Sequence, residues 1–293
     1  MRSRMRAPNP LHIMSGQFQN EKPFATALHR RGMVRVSGAD ALAFLQNLVT
    51  NDLDGIAPRQ AVHAGLLTPQ GKISFEFFVV QTADGLLLDT LKATVVDLVK
   101  RLSLYRLRSK VTIEDVSAAH TVIAGTGDLP AGAFEDPRVA GFGWRRIVPA
   151  SHAASDVAAY DRRRLTFGLP ELGEDFMANE TFPHEALYDS LSGVSFKKGC
   201  FVGQEIVSRT EHRGMARSRF VPVSGPGELP ARGTPLTAGD ETVGTMGSHV
   251  GTIGLALVRL DRLEKAAGIT ASGQAIKLHQ PKSARFTVPG AVA

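Results

Sequence analysis

The chain holds one cysteine in 293 residues, Cys200, within FKKGCFVGQEIVSR (196–209). Lys197 and Lys198 precede it, Gly199 and Gly203 flank it, and Gln204 and Glu205 open a stretch that can start a helix. Positive neighbours and a helix N-terminus both favour thiolate over thiol, so this pattern suits a reactive or metal-ligating sulphur. The glycines allow a ligand or partner close to the backbone. A small buried hydrophobe fits the residue equally well, since free cysteine is often buried. A Gln-Glu pair at a helix start either supports the first turn or offers a carboxylate to a donor-rich heterocycle. Spacing does not separate those two readings.

Other chemistries lack their residues. Zinc and iron–sulphur sites within one chain need several thiolates or close Cys/His spacing, and neither CxxC nor HxxxH occurs. Cys200 supplies at most one ligand, to a cluster shared with another chain. A Cys–His protease has only His184 and His212 nearby, at no diagnostic spacing. GxGxxG, P-loop and GxSxG sequences are absent, which leaves nucleotide-fold and serine-hydrolase readings without support.

The formal charge of +6 favours anionic partners. Basic residues form three groups: Lys100, Arg101, Arg106, Arg108 and Lys110; Arg162, Arg163 and Arg164; and Arg209, Arg213, Arg217 and Arg219. Flanking the ends of predicted elements, they suggest an anion-binding rim. With one Trp, three Tyr and no aromatic RNP strand, direct nucleic-acid binding is not expected. No run approaches ~18 consecutive apolar residues, so no membrane partner is expected. The opening MRSRMRAPNPLHIMSGQFQN is basic but has no apolar core or small-residue cleavage site, unlike a secretory signal. Met14 serves as a start as well as Met1 does. A lone cysteine forms no internal disulfide and suits a reducing cytosol, so the expected location is cytoplasmic.

The elements that must position these residues follow from periodicity. A chain of this length exceeds what one core usually serves, so two or three subdomains are expected. GMVRVS (32–37) alternates like a strand. Ser37 and Asp40 stand at capping-box spacing before ADALAFLQNLVTND, an amphipathic helix ending near Asn51-Asp52. Turn signals at TPQG and ADG divide residues 62–90 into three antiparallel strands, 62–68, 72–81 and 86–90. A helix is expected over 92–105, strands near 110–116 and 120–125, and a loose connection over 126–160. EALYDSL and FVGQEIVSRTEH read as short helices. Beyond Arg219 short strand-like pieces, punctuated by glycine and proline, read as a small β-barrel or sandwich. The fold class is α+β.

Assembled, these residues resemble a known family. KKGCFVGQE is similar to the K-G-C-[FY]-x-G-Q-E signature of YgfZ-type folate-binding proteins, relatives of the glycine-cleavage T-protein that act in iron–sulphur cluster assembly and repair. GADALAFLQNLVTNDL, LLTPQGKISFEFFV and LYRLRSKVTI resemble the family's other common blocks in order. The last two look most like the branch containing the mitochondrial cluster-assembly factor. The resemblance spans roughly residues 30 to 265. It implies a three-domain ring: a discontinuous first domain (24–59 plus 160–217), a ferredoxin-like middle domain (60–150) and a C-terminal β-barrel (218–290). Tetrahydrofolate, plain or polyglutamylated, is expected in the central opening. On this reading Asn51, Asp52, Arg106, Arg164, Lys198, Gly199, Gly203, Gln204 and Glu205 contact the cofactor. Cys200 is the functional thiol, meeting a shared iron–sulphur cluster or the thiol of a scaffold or carrier protein.

Two departures matter. The T-protein's R-L-E-A-G motif supplies a pterin-binding Glu, and the matching stretch here is Arg164-Leu165-Thr166-Phe167-Gly168. Its acidic pair after G-G-I-x becomes Phe75-Glu76 in Gly71-Lys72-Ile73-Ser74-Phe75-Glu76. The leading expectation is therefore a tetrahydrofolate-binding accessory protein for iron–sulphur cluster assembly or repair. A folate-dependent aminomethyl or one-carbon transferase is the alternative, opposed by the acid missing at Phe75.

Overall fold

A computed structural model describes residues 22–292 apart from Arg59, 151–154, Met215, Lys265 and Ala267. The basic opening and the second candidate start, Met14, lie outside the described residues. Ala25–Ala27 (β1) and Arg31–Ser37 (β2) begin the fold, followed by a short helix, Ala41–Gln46 (α1). The turn signals then divide the chain as expected into Ala61–Leu67 (β3), Ile73–Thr82 (β4) and Gly85–Leu91 (β5). Helix Val95–Arg106 (α2) and Thr112–Asp115 (β6) complete this part. The strands form an antiparallel sheet in the order β3-β4-β5-β2-β6. Its inner face packs Val34, Val36, Phe77 and Leu88 against Leu45 of α1 and Leu98 of α2. Each such buried side chain contributes roughly 1.5–3 kcal/mol of transfer free energy.

A second sheet, in the order β1-β7-β9-β8, contains His120–Gly125 (β7), Ala133–Glu135 (β8) and Trp144–Pro149 (β9). The expected loose connection over 126–160 is therefore corrected: it holds two strands and the start of helix Val157–Phe167 (α3). Helix Gln204–Arg213 (α4) leads into the last part. There Ser218–Ser224 (β10), Pro235–Ala238 (β11), Glu241–Val250 (β12) and Ile253–Arg259 (β13) form the body of a seven-stranded barrel sheet. The α+β fold class with a C-terminal barrel is as expected. The domain limits differ: β2, placed with the first domain, is hydrogen-bonded between β5 and β6, and β1 joins β7 in the second sheet. Strand pairing between distant segments is invisible to local periodicity.

Two expected helices also change. The helix over 39–52 shrinks to Ala41–Gln46, because Val49 leaves it to pair with Leu66. The Gln46 side chain accepts from Leu53 N at 2.8 Å and donates to Asp52 at 2.8 Å, holding the following turn. Nor does a capping box form: Asp40 Oδ2 instead accepts from Lys110 N at 2.7 Å. EALYDSL is a series of turns, with left-handed Leu187 (φ 62) and Ser192 (φ 51) preventing a helix.

Buried ion pairs join the first two sheets to α3. Arg31 Nε meets Asp89 Oδ1 at 2.6 Å, and Arg145 reaches Asp89 at 3.1 Å and Asp136 at 2.9 Å. Arg138 bridges Asp136 at 2.8 Å to Glu171 at 3.1 Å, and the Tyr160 hydroxyl donates to Glu171. Burial alone would raise the Asp136 carboxyl, but Arg138 and Arg145 hold it well below its usual range. Burial pushes the Tyr160 phenol up to about 12.

Candidate functional site

The exposed Cys200 loop rests on three segments that meet behind it. The first is the turn after α1. Thr50 Oγ1 donates to Gly193 O at 2.6 Å and accepts from Gly65 N at 2.9 Å, tying the turn to both β3 and the 191–195 stretch. Asn51 Nδ2 donates to His63 O at 2.8 Å and to Ser192 O at 2.6 Å. Ser195 N then donates to Thr50 O at 3.0 Å. The main chain is thereby fixed as it enters the signature.

Lys198 anchors the signature itself. Its Nζ donates to the carbonyls of Gln46, Val49 and Asn51 at 2.6, 2.7 and 2.8 Å. An ammonium has three protons, and all three are committed. Burial lowers its pKa to about 8, opposed by Asp52 and Asp54. The charge expected beside the thiol therefore points into the turn, and Lys198 positions the loop rather than binding a cofactor. The helix expected over FVGQEIVSRTEH starts three residues later, at Gln204, with Gly203 as its N-cap. Cys200 thus lies outside its first turn.

Gly203 is required by geometry. It takes φ +79, and a Cβ there would sit 2.6 Å from Thr68 O. The TPQG turn approaches from the other side, where a Cβ on Gly71 would lie 2.8 Å from Ile206 Cβ. Gly199, by contrast, faces open space. The loop is thus held from behind by Lys198 and the Gly71–Gly203 contact, with Cys200 presented outward.

The positions expected to contact folate are only partly free for a ligand. Arg164 is buried, donating to Asp161 at 2.8 Å, Asp175 at 2.6 Å, Leu169 O at 3.3 Å and Ser248 at 2.7 Å. It is a structural clamp between α3 and the barrel, which corrects its expected role. The Asn51 side chain is also spent, its Oδ1 accepting from Asp52 N at 2.9 Å. Thr166, in the place of the pterin-binding acid, donates to Arg162 O at 2.9 Å within its own helix. Arg106 lies exposed at the end of α2. Asp52 is exposed, its carboxyl lowered mainly by the Gln46 amide, and Glu205 is exposed with Arg209 at 3.4 Å. Gln204 is half-buried. Of the positions expected to contact folate, Asp52, Gln204 and Glu205 remain at least partly exposed, whereas Arg164 and Lys198 are committed to protein partners. A cavity of about 310 Å³ beside α4 is lined instead by Phe182, Glu185, Ile206 and Arg217.

Sequence reasoning missed a buried pair on the adjacent strands β3 and β4. His63 Nε2 lies 3.0 Å from Glu76 Oε1, and Nδ1 lies 3.2 Å from Leu191 O. Both ring nitrogens face acceptors. Glu76 Oε2 accepts from Leu172 N at 2.8 Å. Burial would raise the Glu76 carboxyl, but its bond to His63 and the attendant charge lower it. The neighbouring Tyr188 hydroxyl is buried without a hydrogen-bond partner among the described residues. Glu76 is the surviving member of the acidic pair, and GKISFE was its signal. Phe75 lies in the apolar core with Val49 and Ala64. Among the described residues, His184, Asp189 and Glu211 could together hold an ion, but Arg219 already occupies Asp189 at 2.6 Å.

The mixed α/β architecture with a terminal barrel sheet defines a T-protein-like fold class. The crystal structure of the glycine cleavage system aminomethyltransferase T from Bartonella henselae matches 94% of this chain and 90% of that one, with TM-score 0.71 and 15% identity. That likeness is one of fold. Residues 217–286 match the CAF17 C-terminal beta-barrel domain. The iron-sulfur cluster assembly factor IBA57, mitochondrial, of Homo sapiens is 33% identical over 84% of this chain and 80% of its own length. Its Mus musculus counterpart is 30% identical over 81% and 78%. The chain belongs to the IBA57 family of iron–sulphur cluster assembly factors. Both relatives are named as mitochondrial, which overturns the cytoplasmic placement. A lone cysteine reports a reducing environment, not which compartment provides it. No helix among the described residues is long and apolar enough to cross a membrane.

Proposed function

We propose that this chain is an accessory protein of iron–sulphur cluster assembly or repair that uses Cys200 to engage a cluster held by a scaffold or carrier protein. The carrying observation is an exposed thiol on a loop pinned by a fully committed lysine ammonium. A thiolate from one chain completes only part of a cluster's ligand set, so the remaining ligands come from the partner. Tetrahydrofolate is the ligand proposed beside it, contacted by Asp52, Gln204, Glu205 and the backbone at Gly199. The protein's own residues then orient the ligand and present the thiol. No group-transfer step is assigned to them, because Phe75 stands buried where the transferase carries an acid.

The test is complementation in cells lacking the native gene, read as the activity of iron–sulphur enzymes. Cys200→Ser should fold normally and fail to restore those activities. Full restoration would remove the thiol from the function. Calorimetry with tetrahydrofolate tests the second part: Glu205→Gln with Asp52→Asn should weaken binding, and no binding by the native chain would end the folate reading. Aminomethyl turnover by the native chain would favour the transferase instead.

A further inference from the structure

The free end of α2 carries a feature that neither the thiol nor folate explains. Leu107, at the helix C-cap, has φ 43 and ψ −109, a conformation that L side chains avoid, and is 87% exposed. Strain of this kind costs on the order of 1–3 kcal/mol and persists only where neighbouring structure enforces it. The enforcing contacts lie behind the turn. Asp40 Oδ2 accepts from Lys110 N at 2.7 Å, and Gly38 packs so closely that a Cβ there would lie 2.2 Å from Lys110 O. The leucine so held meets solvent.

Its surroundings are apolar and basic. Leu104 is 73% exposed and Val96 58% exposed, and with Lys100 they form an i, i+4, i+8 stripe leading to Leu107. Arg101, Arg106, Arg108 and Lys110 are exposed around it. The single acid of the helix, Asp97, is 3.5 Å from Lys100. We propose that this end of α2 docks a partner protein presenting an apolar pocket rimmed by Asp and Glu, with Leu107 as the knob. The charge of the patch selects an acidic partner. The strain selects one of fixed shape, because a fluid bilayer accepts apolar tips in many orientations and rewards no particular backbone geometry. RNA readers stack bases on exposed rings, and Tyr105, the aromatic residue of the helix, packs against the core. The proposed function assigns no role to Leu107, Leu104, Arg101 or Arg108, so this inference does not depend on it.

The experiment places the photocrosslinker p-benzoylphenylalanine at exposed Ser103 of the full chain in its host cells. The captured protein is then purified, and its binding to the native chain is measured by calorimetry at low and high salt. Capture alone is not support. Support requires binding that weakens with salt and falls roughly tenfold or more in Leu107→Gly and in the Arg101→Glu, Arg108→Glu double variant, as for a central anchor. Leu107→Gly should also melt no lower than the native chain, since glycine relieves the strain. The proposal is overturned if no protein is captured, or if the captured protein binds Leu107→Gly as tightly as the native chain. It is equally overturned if vesicles of phosphatidylcholine and phosphatidylglycerol, or RNA, bind the native chain but not Leu107→Gly.

Discussion

The Lys198 ammonium, two residues before Cys200, donates to the carbonyl of Val49 at 2.7 Å, joining residues 149 positions apart. That bond and its two companions make the signature loop an extension of the turn after α1. Lys198→Met should strand three carbonyls and destabilise the protein by about 1–3 kcal/mol in urea unfolding. Alkylation of Cys200 should keep its rate, because the thiol is already exposed. Unchanged stability would mean that the loop is held elsewhere.

The same lysine gives a pH signature. Its folded pKa of about 8 lies below the usual 10.5, because burial penalises the charge. Below about 8 both folded and unfolded chains carry the proton. Between 8 and 10.5 the unfolded chain holds more of it, so this group's contribution to stability rises with pH. The stability of the native chain relative to Lys198→Met should therefore grow across that window. A difference that shrinks would show that the folded loop holds the ammonium more tightly than water does.

Cys200→Ser should change stability by less than about 0.5 kcal/mol, as expected for an exposed site. Native and urea-unfolded protein should alkylate at comparable rates. Strong protection in the native state would contradict the exposed loop.

What could be read in advance depended on where each residue's partners lie. Strands β3 to β5 were legible because TPQG and ADG punctuate alternating apolar runs. WRRIVP was not, because Arg145 is buried by Asp89 and Asp136 from other elements and looks like a surface residue in sequence. The signature drew attention to Cys200, which the fold leaves exposed. It could not assign Lys198, whose acceptors are backbone carbonyls with no sequence identity, nor Arg164, whose partner Ser248 lies in the barrel 84 residues away. Leu107 offered no signal at all, since only backbone geometry sets it apart.

Gly203→Ala tests the close approach of the signature to the TPQG turn. The added methyl would meet Thr68 O at 2.6 Å in a left-handed conformation, so the cost should exceed ~1 kcal/mol. Gly199→Ala, facing open space, should be nearly neutral by the same urea titration. Equal effects at the two glycines would mean that crowding does not distinguish them.

Asp136→Asn tests the ionic junction. It leaves Arg138 and Arg145 buried with less counter-charge, and breaking such a pair typically costs about 3–5 kcal/mol. The Asp136 carboxyl has a folded pKa well below the unfolded 3.8, so its stabilisation is fully present above that value and is lost as pH falls through the folded pKa. Urea midpoints of native and variant chains should differ most near neutrality and converge in acid. A gap that stays constant below pH 3.8 would assign the loss to packing around Phe78, over which the Arg145 guanidinium lies at 4.0 Å, rather than to charge.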